Sequence, residues 1–128
     1  MAWELSAQRP IWSQLVEQIQ LRIVTGRYPA GSRLPSVREL AADATVNPNT
    51  MQRALSQLEA DGLVCSQRTS GRFVTEQEET IMELKKTLAK NLVRDFLTRI
   101  EALGYTAKEA AQLLEAEDAA QFRTKEDA

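Results

Sequence analysis

The sequence predicts a mainly α-helical fold with one small β-hairpin, and three observations carry that prediction. Apolar residues recur at helical spacing in successive stretches between Ile11 and Leu103. The period turns extended only between Leu63 and Thr75. Glycines or short polar turns separate each stretch from the next, as chain reversals require.

The elements follow in order. After Pro10, Ile11, Leu15, Ile19 and Ile23 recur every fourth residue, with Val16 and Val24 widening the stripe, and Gly26 stops the helix. GRYPAGSRLP (26–35) reads as a turn-rich loop. Ser36 and Glu39 form a capping box for a short second helix burying Leu40 and Ala41 and ending by about Ala44. Thr45 and Val46 leave a tight turn. Asn47 is then an N-cap and Pro48 suits the first helical position, because a missing N–H costs nothing there. This third helix runs to Asp61, with Gly62 ending it. LVCS (63–66) and GRFVT (71–75) read as strands of a hairpin whose tip is Arg68 to Gly71. Helix, helix, turn, helix, hairpin is a winged helix-turn-helix, assigned to residues 1–75.

From Glu76 the composition shifts. EQEET puts acids at the start of a long helix, as the macrodipole favours, and Ile81, Leu84, Leu88, Leu92, Phe96, Ile100 and Leu103 make its apolar stripe. Gly104 breaks it. Thr106 and Glu109 form a second capping box for a shorter helix through Ala110, Ala111 and Leu114. Residues 76–116 form a two-helix region, and the polar residues 117–128 are expected to fray.

Composition excludes several functions. Hydrophobic content of 43% and charged content of 27% are ordinary for a soluble domain, and no window suits a membrane span. MAWELSAQRP carries Glu4 and no apolar h-region, so a signal peptide is not expected. A single cysteine, Cys65, fits a reducing cytoplasm, and its strand position reads as a buried structural thiol. With no histidine, no glycine-rich phosphate loop and no metal cluster, neither an enzyme nor a cofactor or metal site is expected.

Charge divides the chain. Residues 1–75 hold eight arginines and no lysine against six acids, a net of +2. Residues 76–128 hold eight bases against twelve acids, a net of −4. A polyanion is therefore sought by the first part. The third helix sharpens this. No carboxylate occurs from Ala44 to Leu58, although a helix N-terminus usually recruits one. At about 100° per residue, Met51, Ala54, Leu55 and Leu58 share one side, with Asn49, Gln52, Arg53 and Ser56 nearly opposite. Arginine reads guanine and asparagine or glutamine reads adenine in the major groove. Asn47 and Thr50, with free backbone N–H groups at the helix start, would seat a phosphate. Arg38 on the second helix and Arg68 in the hairpin extend the same basic surface.

PSVREL (35–40), VNPNTMQRAL (46–55), LEADGLV (58–64) and SGRFV (70–74) resemble the DNA-binding domain of GntR-type bacterial transcription regulators. PIWSQLVEQI (10–19) and ALGY (102–105) are similar to the YtrA subfamily in particular. The resemblance implies a homodimeric regulator, often a repressor, on an inverted-repeat DNA operator. It assigns DNA contacts to Arg38, Asn47, Asn49, Thr50, Gln52 and Arg53, and the wing to Arg68, Thr69, Ser70 and Gly71. Two departures stand out: Thr45 where the turn often has glycine, and Thr69-Ser70-Gly71 where the wing often has Gly-Ser-Gly. A β-branched residue is unfavourable at positive φ.

The stripe from Ile81 to Leu103 is too apolar for one short alanine-rich helix to cover, so a second copy of the chain is the expected partner. Ile81, Leu92 and Leu103 repeat every eleven residues, which favours a compact interface over a zipper. The tail is too small for a pocket of several hundred cubic ångströms within one chain, which leaves a small site between protomers open, and no effector is identified. A winged-helix module that binds protein and not DNA remains the alternative.

Overall fold

The computed structural model describes the backbone of residues 2–127 and side chains through Phe122. Its elements are α1 (Ile11–Val24), α2 (Val37–Ala44), α3 (Pro48–Ala60), β1 (Val64–Gln67), β2 (Gly71–Val74), α4 (Glu78–Ala102) and α5 (Ala107–Asp127). They form two compact units, Met1–Lys86 and Thr87–Ala128. Among the described residues no helix is long and apolar enough to cross a membrane.

In the first unit, α1, α2 and α3 turn their apolar stripes onto one core. Leu15 and Ile19 come from α1, Leu40 and Ala41 from α2, and Met51, Ala54, Leu55 and Leu58 from α3, all buried. The helix ends follow the sequence. Gly26 takes φ +81 after α1, and Gly62 takes φ +79 after α3. Beyond α3, the Gly62 N–H donates to Glu59 and the Leu63 N–H to Leu58, both at 3.0 Å, satisfying carbonyls the helix leaves open.

The end of α2 does the same with a less suitable residue. Thr45 takes the left-handed conformation at φ 58, ψ 49. It is the one described non-glycine residue with positive φ. Its N–H donates to Ala42 at 3.2 Å and that of Val46 to Ala41 at 2.9 Å. Val46 then packs against the core. Burial of Ala44 and packing of the half-buried Val46 on either side thus hold a backbone state that a β-branched residue alone disfavours.

Strands β1 and β2 pair antiparallel, with Val64 opposite Val74 facing the core. Two corrections to the sequence reading arise here. Part of the 26–35 loop joins the hairpin: Arg33 bridges Phe73, the Leu34 N–H donates to Arg72 and the Val74 N–H to Ser32, both at 2.9 Å. This pairs backbone groups that the edge of β2 would otherwise leave open. Cys65, expected to be buried, is exposed. Alternation along β1 gives Val64 the inner face and Cys65 the outer one.

Residues before α1 lack regular structure but are tied down. Gln14 accepts from the Ser6 N–H and donates to the Ser6 carbonyl, each at 2.7 Å. Arg9 forks onto Glu17 at 2.8 and 2.9 Å. Trp3 donates to Asp43 at 2.8 Å and stacks under the Arg22 guanidinium, 3.6 Å from the ring centroid. Arg22 is buried, and that burial pushes its pKa below the ordinary value.

Helix α4 differs from expectation at its start. Ile81 and Leu84, assigned to a dimer interface, pack against the core of the first unit. The unit boundary accordingly falls after Lys86, well beyond Glu76. In the second unit Gly104, at φ +96, ends α4, and Thr106 and Glu109 exchange both capping bonds at 3.0 and 3.1 Å. Helix α5 continues through Asp127, so the fraying expected from Glu117 is not seen in the described backbone. EAEDAAQF is rich in strong helix formers, which suffices to extend an existing helix.

Candidate nucleic-acid interface

The α3 face opposite the core is open. Asn49, Gln52, Arg53 and Ser56 are exposed, Asn47 is exposed just before the helix, and Thr50 is half-buried. Gln52 donates to Ser56 at 3.3 Å, one turn further along the same ridge. No acid lies in the first turn. Arg38, in the first turn of α2, is exposed as well.

Backbone bookkeeping at the start of α3 changes one expectation. The sequence predicts free N–H groups there. Asn47 Oδ1 instead accepts the Asn49 N–H at 2.8 Å, and the Asn47 carbonyl accepts those of Thr50 and Met51 at 3.0 and 3.1 Å. Pro48 has none to give. The cap that makes α3 start here uses up its own donors. What remains for an anion is the positive end of the helix with the Asn47 amide, the Thr50 hydroxyl and the arginines.

Arg53 has a neighbour that the sequence did not suggest. Its guanidinium carbon lies 4.3 Å from the centroid of the Trp12 ring, on α1. An exposed stacking of this kind contributes about 0.5–1 kcal/mol. It narrows the arginine's choice of rotamers without neutralising its charge. Residues 12 and 53 meet only because α1 packs across α3, and single-sequence periodicity does not encode that crossing.

The wing resolves the second departure. A turn closed by the Ser70 N–H donating to Gln67 at 3.1 Å carries Arg68, Thr69 and Ser70, all exposed. Positive φ falls on Gly71, at +97, and not on Thr69. Gly71 pairs with Gln67, so the left-handed residue falls just after the loop of 68–70, at the start of β2. The next arginine, Arg72, is committed elsewhere: its Nε donates to Glu59 on α3, which also accepts from Ser66. The Ser66 hydrogen bond, then Arg72, holds the Glu59 carboxyl below its usual range, against the opposing effect of burial. Arg72 therefore fastens the hairpin to α3.

A helix-turn-helix whose outward helix has no acid before Glu59, with a basic wing beside it, defines the class, a DNA-binding transcriptional regulator. The family model for bacterial regulatory proteins of the gntR family matches residues 12–74. The chain is 38% identical over 106 residues to the HTH-type transcriptional regulator YhcF of Bacillus subtilis, across 83% of this chain and 88% of that protein. It is 34% identical to the HTH-type transcriptional repressor YtrA of the same organism, across 69% and 68%. A solved GntR family transcriptional regulator from Listeria monocytogenes superposes with TM-score 0.83 at 36% identity, covering 88% of this chain and 98% of that one. The chain belongs to the GntR family of transcriptional regulators, and its relatives support the YtrA-like subfamily.

Proposed function

We propose that this chain is a cytoplasmic repressor that binds an inverted-repeat operator as a homodimer, with α3 in the major groove and the wing alongside. The observation that carries this reading is the outward face of Asn49, Gln52 and Arg53, exposed and without a carboxylate. On it, Arg53 reads guanine and Asn49 and Gln52 read adenine. Asn47, Thr50 and Arg38 hold phosphates, and Arg68, Thr69 and Ser70 follow the backbone. The repressor assignment draws on the printed name of YtrA.

Dimerisation is supported by the second unit. Leu92 and Phe96 on α4 and Leu103 just after it stay exposed, together with Leu113 and Leu114 on α5. Between the helices lies a groove of about 330 Å³ lined by Leu92, Val93, Phe96, Leu97, Ala110 and Leu114 among others. A two-fold copy covers such a surface and presents two α3 helices about 34 Å apart, one turn of DNA. The interface then comprises Leu88, Leu92, Phe96, Ile100 and Leu103, without Ile81 and Leu84.

Selecting bound fragments from the source genome, then measuring affinity against salt, tests the reading. The expected result is a palindromic fragment bound by a particle of twice the chain mass, with log affinity falling steeply and linearly with log salt. Binding that ignores salt, or no selected fragment, would support a protein-binding module instead.

A further inference from the structure

Arg33 lies outside every segment to which the sequence reading assigned a DNA contact, and its surroundings give it one. The backbone of Ser32 to Leu34 is pinned to β2 by the two hydrogen bonds described above, and Arg33 bridges Phe73. Residues bridged in this way project from the same face of a sheet, and the diagonal neighbour two residues on is within reach of a long side chain. That neighbour is Gly71. A Cβ built there would meet Arg33 Nε at 3.2 Å and Nη2 at 3.4 Å. The guanidinium thus lies against the bare backbone of Gly71, in a slot that any side chain would fill.

We infer that Arg33 is a phosphate-contacting residue of the wing, seated by Gly71 and acting beside Arg68; this rests on the DNA-binding reading of the wing. Its charge is available. Arg33 is exposed and has no acidic partner among the described residues, whereas Arg72 on the neighbouring register position is held by Glu59. Its backbone is also fixed. A cation mounted on a paired strand and leaning on a glycine loses less freedom on binding than one on a free loop. Gly71 then serves DNA binding through Arg33, in place of the direct contact that the family resemblance assigns it.

The test uses the full chain and its selected operator fragment, with affinity measured across salt concentrations. Arg33→Gln is expected to weaken specific and nonspecific DNA alike and to lower the salt slope by about 1.8 for the dimer, one phosphate contact of about 0.9 from each protomer. Arg33→Lys should keep the slope, because a phosphate accepts a point charge. Thermal unfolding should be unchanged in both. Gly71→Ala should weaken binding in the parent chain but add little further loss in the Arg33→Gln background, a coupling that backbone strain alone would not produce. An unchanged slope in Arg33→Gln while the parent binds with steep salt dependence would overturn the assignment and leave the DNA-binding reading intact. A parent chain that shows no salt-dependent binding would overturn both.

Discussion

Helices α3 and α4 are both amphipathic, yet their apolar faces meet different fates. On α3, Met51, Ala54 and Leu58 are 0% exposed. On α4, Leu92 is 70% and Val93 56% exposed, and no residue of that helix is fully buried. The first unit closes its own core and can hold a reading surface rigid. The second leaves apolar surface that a monomer gains nothing by exposing. On the proposed function, recognition and assembly fall to separate stretches of one short chain, and α4 runs through both: its Ile81 turn completes the first core, and its later turns carry the open face.

The contrast can be broken by substitution. The largest effect is expected in the closed core, where Leu58→Ala should cost about 2–5 kcal/mol in denaturant unfolding. The same kind of change on α4 should behave oppositely. Joint replacement of Leu92 and Phe96 by Asp should spare the folding of the first unit and weaken self-association by about 2 kcal/mol or more, read as a shift to chain-mass particles in sedimentation. Should those substitutions unfold the first unit and leave its association state unchanged, the division of labour would be wrong.

Smaller effects sharpen the reading surface. Thr45→Gly removes left-handed strain of about 1–2 kcal/mol but loosens the unfolded chain, for a net gain near 0.5–1 kcal/mol in thermal unfolding. Trp12→Leu should weaken operator binding by about 0.5–1 kcal/mol through Arg53, with Trp12→Phe recovering most of it. The smallest effect concerns the Glu59 clasp. Because the folded carboxyl titrates below its unfolded value, its contribution is present above about pH 4.3 and is lost as pH falls through the depressed value. Glu59→Gln should therefore flatten the acid side of the stability profile, measured by unfolding between about pH 5 and 3.

Much of the fold was legible because its signals are local. Asn47-Pro48, Ser36 with Glu39 and Thr106 with Glu109 each mark a helix start within four residues, and the observed caps match. The outward set on α3 was legible for the same reason, since helical angle alone separates Asn49 and Gln52 from Met51 and Leu55. What escaped was nonlocal. The exposure of Cys65 depended on which face of the hairpin met the core. The pairing of Arg33 with β2 joined residues some forty positions apart, and the place of Ile81 depended on a core whose members run from Leu15 to Val74. The N–H groups expected to be free at the start of α3 are taken up by its Asn47 cap, which the sequence also predicts.

By itself the sequence determined the order and kind of the elements, the start of α3 without acids and the excess apolar surface of the C-terminal half, because propensity, capping and periodicity act over a few residues. Tertiary structure decided what that surface still lacked after Ile81 and Leu84 were used, that Trp12 would brace Arg53, and that Gly71 would make room for Arg33. Those outcomes depend on which faces meet, and only the folded chain brings them together.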